Sequence, residues 1–135
     1  MEIYKSNKQK IAGTSFSEVN KTAKAIFNRA KARTRRTPYL RSRYFKKEKV
    51  FLNLFWNHLY KKNKRDRVRR LKFYDCALDL IVNSHHNPET RDNFEKKDEL
   101  LHRFYGVSKN GEKFVVQIKE NKRTKRKDLM SVYPE

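Results

Sequence analysis

The stretch from residue 101 to residue 119, LHRFYGVSKNGEKFVVQIK, carries the strongest fold signal in the chain. Apolar and polar side chains alternate on either side of its centre, which is typical of half-buried β-strands. At the centre stands Asn110-Gly111, a residue pair favoured in tight hairpin turns. A basic loop at residues 121–127 then leads to one more β segment. The sequence therefore predicts an antiparallel meander with strands at 101–107, 113–119 and 128–133.

Upstream of the meander, apolar residues recur at helical spacing. Ser15 and Glu18 fit a capping box, in which a serine hydroxyl and a glutamate satisfy free amides reciprocally. We predict three basic helices, at residues 15–34, 46–62 and 65–83, and a charged helical stretch at 89–99. Residues 1–14 are predicted to be a flexible N-terminus. The predicted fold is α+β, a single domain over 15–135 in which three basic N-terminal helices (15–83) precede a turn and a small antiparallel β-meander (84–135).

The charge of the chain is concentrated in its first half. The 135 residues include 35 Lys and Arg against 15 Asp and Glu, a net charge of +20. Residues 1–70 hold 22 of these cations and 4 of the acids, a net charge of +18, which indicates a polyanionic partner. A membrane surface or an acidic protein is the alternative. The expected nucleic-acid contacts are Arg35, Arg36, Arg41, Arg43, Lys46, Lys47, Arg65, Arg67, Arg69, Arg70, Lys122, Arg123, Lys125 and Arg126.

Cysteine usage and hydropathy narrow the class of protein. Cys76 is the only cysteine, which excludes a disulfide framework and a four-thiolate zinc site. The first ten residues lack an apolar secretory core, and no apolar run approaches the roughly 18 residues that span a bilayer. We therefore expect a cytoplasmic protein without a membrane partner, and no cofactor or metal.

Side-chain alternation separates two faces of the predicted meander. The face that packs on the helices is predicted to contain Phe104, Phe114, Val116, Ile118, Met130 and Val132. The opposite face would hold Arg103, Tyr105, Val115, Gln117, Lys119, Leu129, Ser131 and Tyr133. Its cations, hydroxyls and amide can bind phosphate oxygens without a metal, whereas a merely solvated surface would also be polar.

Histidines and aromatic residues give further candidates. His102 can exchange a proton near neutral pH, but alternation places it on the packed face at the end of a strand. His85-His86 has no third ligand spaced nearby, so we predict no metal site there. The basic and aromatic stretch at 39–45 can stack bases while its arginines bind phosphates; alternatively, Tyr44 and Phe45 hold helices together.

Several segments of the second half together resemble a known nuclease group. They are the helical residues 70–81, the turn Asn87-Pro88-Glu89-Thr90-Arg91, the strand His102-Arg103-Phe104-Tyr105, and the segments 114–119 and 129–134. From 69 to 134 the chain resembles the phage-type branch of the barnase–EndoU–colicin–RelE group. Its members place a basic or histidine residue on the first strand and a hydroxyl-x-Tyr-Pro pattern on the last, positions matched here by Arg103 or His102 and by Ser131 and Tyr133. The chain departs from the group in having three predicted strands where four are frequent, and in lacking a carboxylate base on the predicted active face.

The resemblance implies a small metal-independent ribonuclease, of the kind found among toxins and effectors of phages and mobile elements. In the expected reaction the RNA 2′-hydroxyl attacks the adjacent phosphate. Arg103 and Lys119 would stabilise the developing charge, Ser131 and Gln117 would orient the phosphate, and Tyr133 or His102 would move the proton. The partner RNA (tRNA, mRNA or ribosome) and an antidote protein are left open. The alternative is a non-catalytic nucleic-acid-binding or ribosome-binding accessory protein.

Overall fold

The computed structural model describes residues 2–135, which contain four helices and seven strands. The helices are α1 (Phe16–Ala32), α2 (Asn53–Leu59), α3 (Lys64–Leu71) and α4 (Tyr74–Asn83). The strands are β1 (Ile3–Lys5), β2 (Tyr39–Ser42), β3 (Glu48–Phe51), β4 (Glu89–Asp92), β5 (Glu99–Val107), β6 (Lys113–Asn121) and β7 (Lys127–Pro134).

All seven strands belong to one mixed sheet with the order β1-β5-β6-β7-β3-β2, and β4 pairs with β5 beside β1. The pairs β5–β6 and β6–β7 are antiparallel and form the predicted meander. Two pairs are parallel: β1 with β5, and β3 with β7. The prediction of three N-terminal helices followed by a separate meander is therefore wrong, because strands from the first half of the chain extend the meander on both sides.

The first predicted helix is present as α1. Its N-cap is Ser15, whose side chain accepts a hydrogen bond from the Glu18 amide, and the reciprocal half of the capping box also forms. Its buried residues fall on one face, as the apolar periodicity requires: Val19, Ala23, Ile26, Phe27 and Ala30. The N-cap and the apolar periodicity both predict this helix, and both are confirmed.

The predicted second helix, 46–62, is wrong at its first half. Lys46 and Lys47 adopt positive φ angles of 55° and 71° and end a tight turn from which β3 starts. Val50 and Phe51 fall within the predicted helix, but they lie on β3 opposite Leu40 and Tyr39. Sheet pairing has overridden the local periodicity, and only α2 remains helical.

The predicted third helix, 65–83, is two helices. Phe73 separates α3 from α4 with φ −96° and ψ 7°, and its buried ring stacks on Phe114 of β6 at 5.5 Å. Asn63 is the N-cap of α3 and accepts a hydrogen bond from the Asp66 amide. No proline or glycine marks this break, so the helical pattern alone could not locate it.

Two further segments were predicted wrongly. The N-terminal region contains β1, where Tyr4 and Ser6 donate hydrogen bonds to the Asp79 carboxylate at 2.9 and 2.7 Å. The stretch 89–99 contains β4 and a turn instead of a helix. Both strands pair with β5: β1 from the far end of the sequence, and β4 across the short turn 93–98.

A β-bulge changes the faces of β7. Gln117 pairs with Ser131, but the next residue, Ile118, pairs with Leu129, so Met130 is the extra residue. Leu129 is consequently fully buried, whereas Met130 is half-buried and its sulfur accepts a hydrogen bond from the side-chain Nε2 of Gln117. The predicted positions of Leu129 and Met130 are therefore interchanged.

One apolar cluster joins the helices to the sheet. It includes Phe27 of α1, Trp56 of α2, Leu80 of α4 and Phe114 and Val132 of the sheet. Within residues 2–135, none of the helices has the length and apolar character needed to cross a membrane.

Candidate functional site

The open face of the meander brings together most of the predicted catalytic residues. Arg103, Gln117 and Ser131 lie opposite one another in a row across β5, β6 and β7. Tyr105, Val115 and Tyr133 form the next row. Arg103, Lys119, Ser131 and Tyr133 are all half-buried. The structure therefore places these four predicted residues on the same face of the sheet.

Several polar side chains on this face already have partners within the protein. Lys119 Nζ lies 3.4 Å from Glu99, and the Tyr133 ring lies under the Arg70 guanidinium at 5.4 Å. The Tyr105 hydroxyl donates to Glu89, and this hydrogen bond raises the pKa of Tyr105. Arg103 Nε is buried and lacks a hydrogen-bond partner among the described residues.

His102 lies on the other face of the same strand. It is 6% exposed and packs edge-on against Phe45 at 5.0 Å. Because neighbouring side chains on a strand point to opposite faces, His102 and Arg103 cannot contact the same phosphate. The five predicted catalytic residues therefore divide into two groups, with four on the open face and His102 alone on the packed face.

A polar cluster surrounds His102, which we call the His102 cluster: Thr90, His102, Glu120, Lys127 and Glu48. His102 Nε2 lies 2.7 Å from Glu120 Oε1, and Nδ1 lies 2.8 Å from the Thr90 hydroxyl. Lys127 Nζ lies 2.7 Å from Glu48 and 3.7 Å from Glu120. Such pairing is what a buried charge requires, and Lys127 is only 4% exposed.

Sequence reasoning missed Glu120 and Lys127. The register places Glu120 opposite both Leu100 and Lys127, two residues along β6 from Ile118, which is the residue opposite His102. The signal was present, because Glu120 and His102 share the packed face by alternation. The predicted strand ended at residue 119, however, whereas β6 continues to Asn121 and so includes Glu120.

The His102 cluster borders a cavity of about 730 Å³ that is open to the surface, which we call the His102 cavity. Aromatic residues Tyr44 and Phe45 form part of its wall, so the basic and aromatic stretch 39–45 contributes to packing as well as to the cavity. Its rim carries Lys46 and Lys125. These two residues and Lys47 are the non-glycine residues with positive φ among residues 2–135. Left-handed backbone in such residues is unfavourable and clusters at functional sites.

The His102 cavity lies at the most basic end of the sheet. Lys46 and Lys47 occupy the β2–β3 turn, and residues 122–126, KRTKR, form the β6–β7 turn without an acid. Six of the predicted nucleic-acid contacts therefore lie in these two turns: Lys46, Lys47, Lys122, Arg123, Lys125 and Arg126. Two of the six, Lys46 and Lys125, line the cavity itself.

The remaining predicted nucleic-acid contacts lie elsewhere, and many are bonded internally. Arg67 donates to the Tyr60 and Lys62 carbonyls, and Arg43 donates to the Asn83 carbonyl. Arg69 and Arg70 pair with Asp66, and Arg41 donates to the Lys47 carbonyl. Seven of all the predicted nucleic-acid contacts are exposed and form no ion pair or side-chain hydrogen bond with the described residues: Arg35, Arg36, Lys46, Lys47, Arg65, Arg123 and Lys125.

The surroundings of His58, His86 and Cys76 are hydrogen bonds and packing within the fold. His86 and Asn87 hold the Glu2 carboxylate, and burial lowers the pKa of His58. Burial also raises the pKa of Cys76 to about 12, so its thiol stays protonated. Over residues 2–135, no group of three or more His, Cys, Asp or Glu side chains is arranged to hold a metal ion.

Comparisons with protein-family models, with curated proteins and with solved structures found no match.

Proposed function

We propose that the protein is an RNA-binding endoribonuclease that works without a metal ion and that its chemistry takes place in the His102 cavity. The observation that carries the proposal is the convergence of a carboxylate, an imidazole and an ammonium group on one cavity: Glu120, His102 and Lys127. Cleavage through the 2′-hydroxyl needs a proton acceptor, a proton donor and a positive charge near the phosphate. This cluster contains all three.

In the proposed reaction, Glu120 accepts the proton of the RNA 2′-hydroxyl as its oxygen forms a bond to phosphorus. That proton moves along the 2.7 Å contact from Glu120 to His102 Nε2. At the same time His102 Nδ1, released from the Thr90 hydroxyl, donates its own proton to the departing 5′-oxygen as the P–O5′ bond breaks. Lys127 stabilises the negative charge on the phosphoryl oxygens. The products are a 2′,3′-cyclic phosphate and a 5′-hydroxyl.

Two features of the surroundings support this site over the open face. Lysines on the rim, Lys46 and Lys125, are exposed and free to bind flanking phosphates. On the open face, by contrast, the described residues form no carboxylate–histidine pair. A catalytic site on the open face, made of Arg103, Lys119, Ser131 and Tyr133, is the untested alternative to the His102 cavity.

A second candidate function is a nucleic-acid-binding or ribosome-binding accessory protein without catalysis. It is favoured by one observation: both ring nitrogens of His102 are already bonded inside the protein, to Thr90 and Glu120. On this hypothesis the cluster stabilises the turn that carries Tyr44 and Phe45, and the surrounding cations bind RNA.

Incubation of the purified protein with a defined RNA, with and without EDTA, separates the two functions. The proposal predicts cleavage that survives EDTA, products that end in a cyclic or 3′-phosphate, and resistance of RNA carrying a single 2′-deoxy residue at the cut site. Binding without cleavage would favour the accessory protein. Metal-dependent cleavage to 5′-phosphate ends would contradict the proposed chemistry.

A further inference from the structure

Phe94 is a fully solvated aromatic side chain at the basic end of the sheet. It is 95% exposed, whereas the other large apolar side chains that are exposed within residues 2–135 reach at most 45%. A phenylalanine left in water forgoes the stabilisation that burial of its ring would give. Nothing in the packing of the described chain explains its place.

The turn that carries Phe94 is held firmly at both ends. The Asn93 amide donates to the Glu99 carbonyl at 3.1 Å, and the Asn93 side chain donates to the Glu99 carboxylate at 3.0 Å. Behind Phe94, the Lys96 amide donates to the Asn93 carbonyl at 3.2 Å. The ring is therefore presented on a closed β4–β5 turn and not on a long loop.

This turn is tied to the most basic turn of the protein. The Lys122 amide donates to the Asp98 carbonyl at 2.7 Å, and Lys122 Nζ lies 2.6 Å from Asp92. Within the β4–β5 turn, Lys96 and Lys97 are balanced by Glu95 and Asp98, so the positive charge beside Phe94 comes from the β6–β7 turn. There Arg123 and Lys125 are exposed, with no acidic partner in the described structure.

Phe94 also lies close to the His102 cluster. Thr90, which bonds to His102, precedes Phe94 by four residues on the same strand and turn. Four residues of extended chain reach at most about 14 Å. An oligonucleotide held at the cavity would therefore reach the ring.

We propose that Phe94 stacks on a base of single-stranded RNA next to the His102 cavity, while the β6–β7 turn binds the phosphates. This inference takes its ligand, RNA, from the proposed function, but it does not require that the protein cleaves RNA. Exposed aromatic rings between cations are a sequence-tolerant means of binding single strands, because every base offers a flat face. Duplex RNA, whose bases are already stacked, would not use the ring.

The direct test uses a short uncleavable oligonucleotide of 2′-deoxyuridine, and the same phosphodiester chain made without bases. Phe94→Leu keeps an apolar side chain but removes the ring, so it should bind the base-bearing strand about 5- to 150-fold more weakly. The strand without bases should bind equally to both proteins, and the salt dependence should be unchanged because no phosphate contact is lost. Equal binding of the base-bearing strand to both proteins, or equal weakening for both strands, would overturn the proposal.

Phe94→Trp supplies an independent readout. Trp56, the only native tryptophan, is 4% exposed and gives a constant background. The new indole should retain affinity, and its fluorescence should be quenched by the base-bearing strand only. Unchanged fluorescence at saturation would contradict stacking. Because these measurements need no cleavage, an inactive protein would leave the stacking result intact, and silent Phe94 variants would leave the ribonuclease proposal intact.

Discussion

The Phe114 ring stands directly over Gly106 on the neighbouring strand. A Cβ atom added at Gly106 would lie 2.5 Å from Phe114 Cζ. Phe114 is fully buried, and its ring is held from the other side by Phe73. The glycine therefore makes room for the ring that links the sheet to the junction of α3 and α4.

We expect Gly106→Ala to destabilise the protein by about 1–3 kcal/mol, as overpacking of a filled core does. Urea unfolding of the variant measures this difference. Phe114→Leu removes the crowded ring atoms, so in that background Gly106→Ala should cost clearly less, which a double-mutant cycle detects. An equal cost in both backgrounds would show that the ring is not the cause.

The Glu2 carboxylate should titrate at lower pH in the native protein than in the unfolded chain. Its pKa is lowered first by the Asn87 backbone amide, then by the Asn87 side chain and the His86 side chain. Because the folded pKa is depressed, this attachment is fully present above the unfolded pKa and is lost as pH falls through the folded value. NMR titration of the Glu2 carboxyl carbon, with and without denaturing urea, measures the difference.

Asn87→Ala is the control for that titration. It removes the side-chain hydrogen bond and keeps the backbone amide, so the Glu2 midpoint should rise only part of the way. Identical Glu2 titration midpoints in the native and the urea-unfolded protein would contradict the hydrogen bonds from Asn87 to this carboxylate.

Charge at the His102 cavity should govern the salt dependence of RNA binding. For single strands, each neutralised phosphate contributes about 0.7 to the log–log slope, so Lys46→Gln with Lys125→Gln should lower it by about 1.4. Lys21→Gln with Lys31→Gln removes the same charge from exposed positions on α1. Equal changes in the two double variants would place the RNA elsewhere.

Elements that depend on neighbouring residues could be predicted from the sequence, whereas pairings between distant strands could not. The Ser15 capping box and the Asn110-Gly111 hairpin depend on neighbouring residues, and α1 and the β5–β6 pair formed where predicted. By contrast, Val50 belongs to a strand because β2 and β7 lie beside it. No local pattern encodes a parallel pair whose members are more than 70 residues apart.

In the candidate site, too, local patterns predicted more than the pairing between strands did. Alternation correctly placed His102 on the packed face and Arg103 on the open face. It could not predict the extra residue at Met130, because the bulge is a property of the β6–β7 pair. Glu120 could have been found by applying the same alternation to charged residues, since it is a strand acid directed at the core.

The most direct test of the account compares single-turnover RNA cleavage by variants of the two faces. Glu120→Gln, which keeps the shape of the side chain, and His102→Ala should each slow cleavage by about 100- to 10,000-fold, the usual contribution of a general acid or base. RNA affinity should remain near that of the wild type, and thermal unfolding should confirm that both variants fold. Arg103→Ala and Tyr133→Phe, on the open face, should cleave within a few-fold of the wild-type rate. Full activity of folded Glu120→Gln, or a loss confined to Arg103→Ala, would contradict the assignment of the chemistry to the His102 cavity.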